Sequence, residues 1–170
     1  MATAFAAFIF ALGFYWRIVD IQRANFFLFD EGYYLNFNRK FVELAAYFSP
    51  KNFAEFIQAF WTLIRVSLGT GKALWFFIVD GRVFLGLAHA WYFPKIISML
   101  AGFGTIAMTY LFARRYFDSK EIALLSAALL SILPSHVFYS RLGIQEALSG
   151  LFFLSGFYLY IFPRSFGRRT

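Results

Sequence analysis

The chain contains no cysteine. That excludes disulfides, thiolate metal sites and cysteine nucleophiles, and it removes the usual marker of redox compartment. Acid is scarce as well: nine Asp and Glu stand against 16 Lys and Arg, a net charge of +7. Only 15% of residues are charged, where a soluble domain carries about 25%. The two histidines, His89 and His136, lie far apart without metal-ligand spacing, so both read as interface or packing residues. Four prolines in 170 residues leave room for long uninterrupted helices. No basic stripe interleaved with aromatics stands outside apolar sequence, so nucleic acid is not a partner.

Apolar and aromatic residues fill the remainder, at 61% and 24% of the chain, with a mean hydropathy of +0.62. This is membrane composition. The expected fold is an all-α polytopic membrane protein with about four transmembrane helices and a large external first loop that carries amphipathic helices. A span needs about 20 apolar residues. Residues 1–21 supply the first, with Arg17 and Asp20 near its end able to snorkel. The lack of any Lys or Arg before Arg17, and Phe14-Tyr15-Trp16 where small residues would mark a cleavage site, argue against a cleaved signal peptide. Residues 94–113 form a second span behind the aromatic belt of Trp91, Tyr92 and Phe93, and Gly102 and Gly104 invite close approach of a neighbouring helix. Residues 121–139 form a third, with Pro134 near its far end, and residues 147–162 a fourth, closed by Pro163.

Residues 22–93 are mixed. Phe41–Phe48 and Phe53–Leu68 read as amphipathic helices flush with the membrane. In the second, Phe56, Ile57, Phe60, Trp61, Ile64 and Leu68 recur at helical spacing. Ala73–Phe93 is apolar enough to span, but Asp80 and Arg82 near its middle would each cost about 2.5–3.5 kcal/mol at a bilayer centre. Two short half-buried pieces bent at Gly81 are expected instead. "LGTGK" at Leu68–Lys72 lacks the spacing and flanks of a phosphate loop.

Arg114, Arg115 and Lys120 against Asp118, and Arg164, Arg168 and Arg169 in the tail, put that loop and the tail in the cytoplasm. With four spans, Asp30-Glu31 and the turn "SRLGIQEA" share the external face. Bland readings exist for each charged group: Asp30 and Glu31 as solvated loop acids, Arg141 and Glu146 as a snorkelling pair, and Asp80 and Arg82 as turn charges.

Asp30-Glu31-Gly32-Tyr33-Tyr34 follows the first span, "TYLFARRYF" closes the second and Ser140-Arg141-Leu142-Gly143-Ile144-Gln145-Glu146 turns after the third. In this order the chain resembles the N-terminal part of a GT-C glycosyltransferase of the protein O-mannosyltransferase and aminoarabinose transferase branch. "GKALWFF" stands where that branch often has a His-Pro-Pro-Leu-like element, without its His and prolines. Members continue with further spans for several hundred residues.

The resemblance implies sugar transfer from a polyprenyl-phosphate or dolichyl-phosphate carrier to an acceptor protein, lipid or glycan at the external face. A base must deprotonate the acceptor. Asp30 is the candidate, with Glu31 as its helper, and partial desolvation by Phe29, Tyr33 and Tyr34 would make the carboxylate more basic. Tyr33 and Tyr34 could stack on the sugar. Arg141 is the candidate for the carrier's phosphate because a guanidinium grips phosphate bidentately. Glu146 would orient Arg141 or meet the acceptor, and Lys95 and Arg82 are further phosphate candidates. No metal ligands are assigned and no cofactor is certain, although a divalent metal stays open. The expected location is the bacterial plasma membrane, with membrane lipid as a partner and a partner chain as a source of missing spans. Two other readings remain: an inactive truncated or split remnant of such an enzyme, and a small non-catalytic membrane scaffold or transporter-like subunit.

Overall fold

The computed structural model describes residues 2–19, 36, 39–44, 46, 52–69, 73–80 and 92–163. Among these, all regular structure is helical and no strand occurs. Besides helical residues at 39–44, the described helices in chain order are α1 Ala2–Ile18, α2 Phe53–Gly69, α3 Ala73–Asp80, α4 Phe93–Tyr116, α5 Lys120–Ile132, α6 Pro134–Arg141 and α7 Glu146–Ile161. The expected Asp30-Glu31-Gly32-Tyr33-Tyr34 motif, Arg82, the bend at Gly81 and Trp91 of the belt lie outside the described residues.

The chain divides into two compact units, one of residues 1–19, 98–141 and 146–170, the other of residues 20–97 and 142–145. In the second, α2 packs on α3. Phe56 and Phe60 of α2 stack at 6.0 Å between ring centroids, and Phe60 lies 6.1 Å from Phe41. On the flank beside these rings, α2 leaves Phe53, Ile57 and Trp61 exposed. Their four-residue spacing makes one apolar stripe along the helix.

The first unit is built around α1, which packs against α5 and α6. Its interior is made of small residues: Ala6, Ala101, Ala123, Ala127 and Ala128 are buried. Small side chains let helix backbones close on one another where lipid supplies no hydrophobic drive between helices. Gly13 is the tightest point, where an added Cβ would lie 2.5 Å from the Ser131 carbonyl oxygen of α5. Gly102 of α4 meets α6 in the same way, 2.6 Å from the Ser140 Cβ, and Gly104 faces Leu151 of α7 at 3.0 Å. The close approach expected at Gly102 and Gly104 is therefore present. Aromatic contacts fill the wider gaps: Phe14 of α1 stacks on Phe103 of α4 at 5.1 Å, and Phe112 of α4 on Phe157 of α7 at 5.8 Å.

Only α4, with 24 residues, is long and apolar enough by itself, among the described residues, to cross a membrane. Helices α1 and α7 are apolar but have 17 and 16 residues. The expected single helix over 121–139 is two helices, α5 and α6, that meet at 59° and pass the length test only together. The break falls at Leu133, whose φ of −59° and ψ of 119° leave the helical region. Pro134 is the cause: its ring disfavours helical ψ in the residue before it and it has no N–H to donate to Leu130. As the first residue of α6 it loses nothing, because that N–H would be unpaired anyway.

The turn between α4 and α5 is locally determined. Asp118 takes a positive φ of 49°, tolerated by Asp better than by most residues. Ser119 caps α5, its hydroxyl accepting from the Ile122 N–H at 3.3 Å.

Candidate functional site

The polar chemistry of the first unit gathers on Arg17. The sequence allows this guanidinium to snorkel to water; instead the residue is 0% exposed. Its side chain turns back along α1, as helical side chains do, and enters the small-residue interior. Nη1 donates to the Gly13 carbonyl at 2.7 Å and to the Ser131 carbonyl at 2.6 Å. Nε donates to Ser140 Oγ at 3.1 Å, and Nη2 to His136 Nδ1 at 2.7 Å. The plane of donors matches this ring of acceptors because Arg carries five N–H groups in a fixed fork. The guanidinium carbon also lies 5.6 Å from the centre of the Phe103 ring, within range of a cation–π contact.

All four hydrogen-bond acceptors are neutral. No carboxylate among the described residues bonds Arg17. Burial of a cation without a counter-ion is expensive, and four charge-assisted hydrogen bonds at roughly 1.5–3 kcal/mol each offset it. Ser140 takes its part by donating its own proton to the His136 and Val137 carbonyls, at 2.6 and 3.0 Å, which turns a lone pair toward Arg17. His136 accepts through Nδ1, so the neutral ring carries its proton on Nε2. That atom is buried and has no hydrogen-bond partner among the described residues.

A second arginine works on the same helix. Arg141, the last residue of α6, donates through Nη1 to the Trp16 carbonyl at 3.0 Å and through Nη2 to the Val19 carbonyl at 2.8 Å. These are carbonyls at the end of α1, where the helix leaves acceptors unpaired and where its dipole favours a cation. The α1 backbone thus orients Arg141; no ion pair joins it to Glu146 among the described residues. Glu146 is exposed and begins α7, where an acid suits the helix N-terminus. Lys95, expected at the surface, is 2% exposed in the first turn of α4. So Arg141 and Arg17 both meet the last turns of α1, whereas Asp30, Glu31, Tyr33, Tyr34 and Arg82 fall outside the described residues. No group of three or more His, Cys, Asp or Glu that could hold a metal occurs among the described residues.

An apolar groove of about 600 Å³ also lies in the first unit, lined by Phe10, Phe14, Phe103, Ile106, Tyr110 and Leu111 among others. No acid or base for proton transfer lines it except the Tyr110 phenol, so it is not where polar chemistry is done. The buried polar cluster around Arg17, by contrast, escaped sequence reading. Arg17 stood out only as a cation near a span end, and nothing in the spacing of His136 or Ser140 announces an acceptor for it.

Among the described residues the chain is all helical, and its longest apolar helix is long enough to cross a bilayer. The family model for dolichyl-phosphate-mannose-protein mannosyltransferases matches residues 7–165, nearly the whole sequence, and the chain belongs to that family. It is a family of integral membrane glycosyltransferases that take their sugar from a lipid carrier. No curated protein and no solved structure matches the chain.

Proposed function

We propose that the protein takes part in glycosyl transfer from a polyprenyl-phosphate-linked sugar to an acceptor at the external face of the membrane. The family match over residues 7–165 carries this reading. Four spans serve it: α1, α4, the bent pair α5–α6, and α7. In this arrangement α1 runs outward, so Asp30 and Glu31 follow it on the external side, as does the turn after Arg141. Confinement to that face follows from the donor, whose chain stays in the bilayer while its sugar phosphate sits at the boundary.

Asp30 is the base that takes the acceptor's hydroxyl proton, and Glu31 supports it. Arg141 faces the carrier phosphate. Two of its five N–H groups are engaged with α1, which fixes the guanidinium plane and leaves donors for a phosphate oxygen. Positioned charge of this kind stabilises the negative charge that gathers on the leaving phosphate as the sugar departs. Tyr33 and Tyr34 offer ring faces to the sugar. The plasma membrane of a bacterium is the proposed location, and protein the proposed acceptor, in keeping with the family.

The experiment is transfer of radiolabelled mannose from dolichyl phosphate mannose to acceptor protein by membranes that contain the chain. Asp30→Asn should reduce transfer at least 100-fold, the low end of general-base effects, while the protein stays in the membrane fraction. Transfer by Asp30→Asn at the wild-type rate would remove the base from Asp30.

A further inference from the structure

Arg17 has no place in the transfer chemistry, yet it is the most completely enclosed charge in the first unit. Its acceptors belong to three elements: Gly13 to α1, Ser131 to the last turn of α5, and His136 and Ser140 to α6. One guanidinium therefore binds both sides of the break at Leu133. Proline opens that break but does not by itself set its angle, since the residue before a proline still ranges over about 80° in φ and about 40° in ψ. The hydrogen bonds to Ser131 on one side and to His136 and Ser140 on the other do so.

The angle has a consequence at the far end of α6. Arg141 lies five residues beyond His136 and one beyond Ser140, and it reaches the Trp16 and Val19 carbonyls at 3.0 and 2.8 Å. Eight residues of α6 form a lever of about 12 Å at 1.5 Å per residue. A rotation of some 10° at its base moves the tip by about 2 Å, enough to break bonds whose useful range is a few tenths of an ångström.

From this we infer that Arg17 is a positioning residue: it fixes the bend between α5 and α6, and through it the place of Arg141 at the external boundary. This inference rests on the reading of Arg141 as the phosphate contact. Lysine cannot replace Arg17, because an ammonium is a compact charge without the planar fork that four acceptors around one plane require. Ser140→Ala, which removes one acceptor, is the milder change.

The absence of cysteine makes the test clean. Spin labels at cysteines placed at Tyr15 of α1 and Tyr139 of α6, both exposed, report the distance between the two helices in the full chain in lipid. Arg17→Lys should broaden that distance distribution or shift it by 2 Å or more, with Ser140→Ala smaller in the same direction. In the mannose transfer assay Arg17→Lys should raise the donor KM five- to tenfold and lower kcat as well, because Arg141 meets the phosphate both in the bound donor and as charge gathers on it. In an Arg141→Ala background the same substitution should leave the donor KM unchanged, since effects that pass through one residue are not additive. An unaltered distance in a folded Arg17→Lys or Ser140→Ala protein overturns the inference. So does an undiminished KM effect of Arg17→Lys once Arg141 is gone. If the unsubstituted protein transfers no mannose, the proposed function falls, while the label distances still decide whether Arg17 sets the bend.

Discussion

Gly13 and Arg17 are one helical turn apart and depend on each other. The glycine lets α1 approach the Ser131 carbonyl closely enough for the Arg17 guanidinium, four residues on, to bond the same oxygen. A side chain at position 13 would push α5 away and leave the buried cation short of an acceptor. Gly13→Ala is therefore expected to destabilise by more than its size suggests: about 1–3 kcal/mol for overpacking, with the loss of one charge-assisted bond in addition. Thermal unfolding in detergent measures it, and Gly150→Ala is the control, because a Cβ at Gly150 meets nothing within 4 Å. These residues also mark the limit of the sequence. Gly102 and Gly104 announce tight contacts because a glycine inside an apolar helix has few other uses. Arg17 does not announce its acceptors, since Ser131, His136 and Ser140 are 114 to 123 positions away and carry no spacing pattern.

At the scale of elements, helix ends were legible where local chemistry sets them and helix continuity was not. Pro134 was visible as a perturbation, yet residues 121–139 read as one span because apolar composition ignores backbone direction. The start of α5 is the opposite case: the span expected from residue 121 begins at Lys120, where the Ser119 hydroxyl caps the helix. Ser119→Ala should lower stability by about 1 kcal/mol, the usual loss for a removed N-cap, without any effect on donor KM. Chemical denaturation beside the transfer assay checks both halves of that expectation. The family was legible in the order of motifs, whereas the packing around Arg141 was not. The order of Asp30-Glu31, the Ala113-Arg114-Arg115 edge and Ser140-Arg141 pointed to the family, but that Arg141 is held by α1 rather than by Glu146 follows from three-dimensional packing alone.

For the whole molecule, sidedness decides the proposed mechanism. Because the chain has no cysteine, a cysteine at exposed Asn36 and another at exposed Asp118 can each be labelled with a membrane-impermeant maleimide. The Asn36→Cys protein should react in intact cells, and the Asp118→Cys protein only after the membrane is opened. The reverse pattern would put Asp30 with the cytoplasm, away from a sugar presented outside. All-α membrane character was readable from composition alone, because so apolar a chain with so little charge has no soluble core large enough to hide its side chains.

The enclosure of Arg17 also bears on how the protein is made. Its first helix leaves the ribosome more than 100 residues before α5 and α6 exist. Until they arrive, a bare guanidinium sits in an otherwise apolar segment, at a penalty of about 2.5–3.5 kcal/mol if it lies at the bilayer centre and less toward the boundary. Three of the four acceptors of that charge thus become available only when the bent pair has been made.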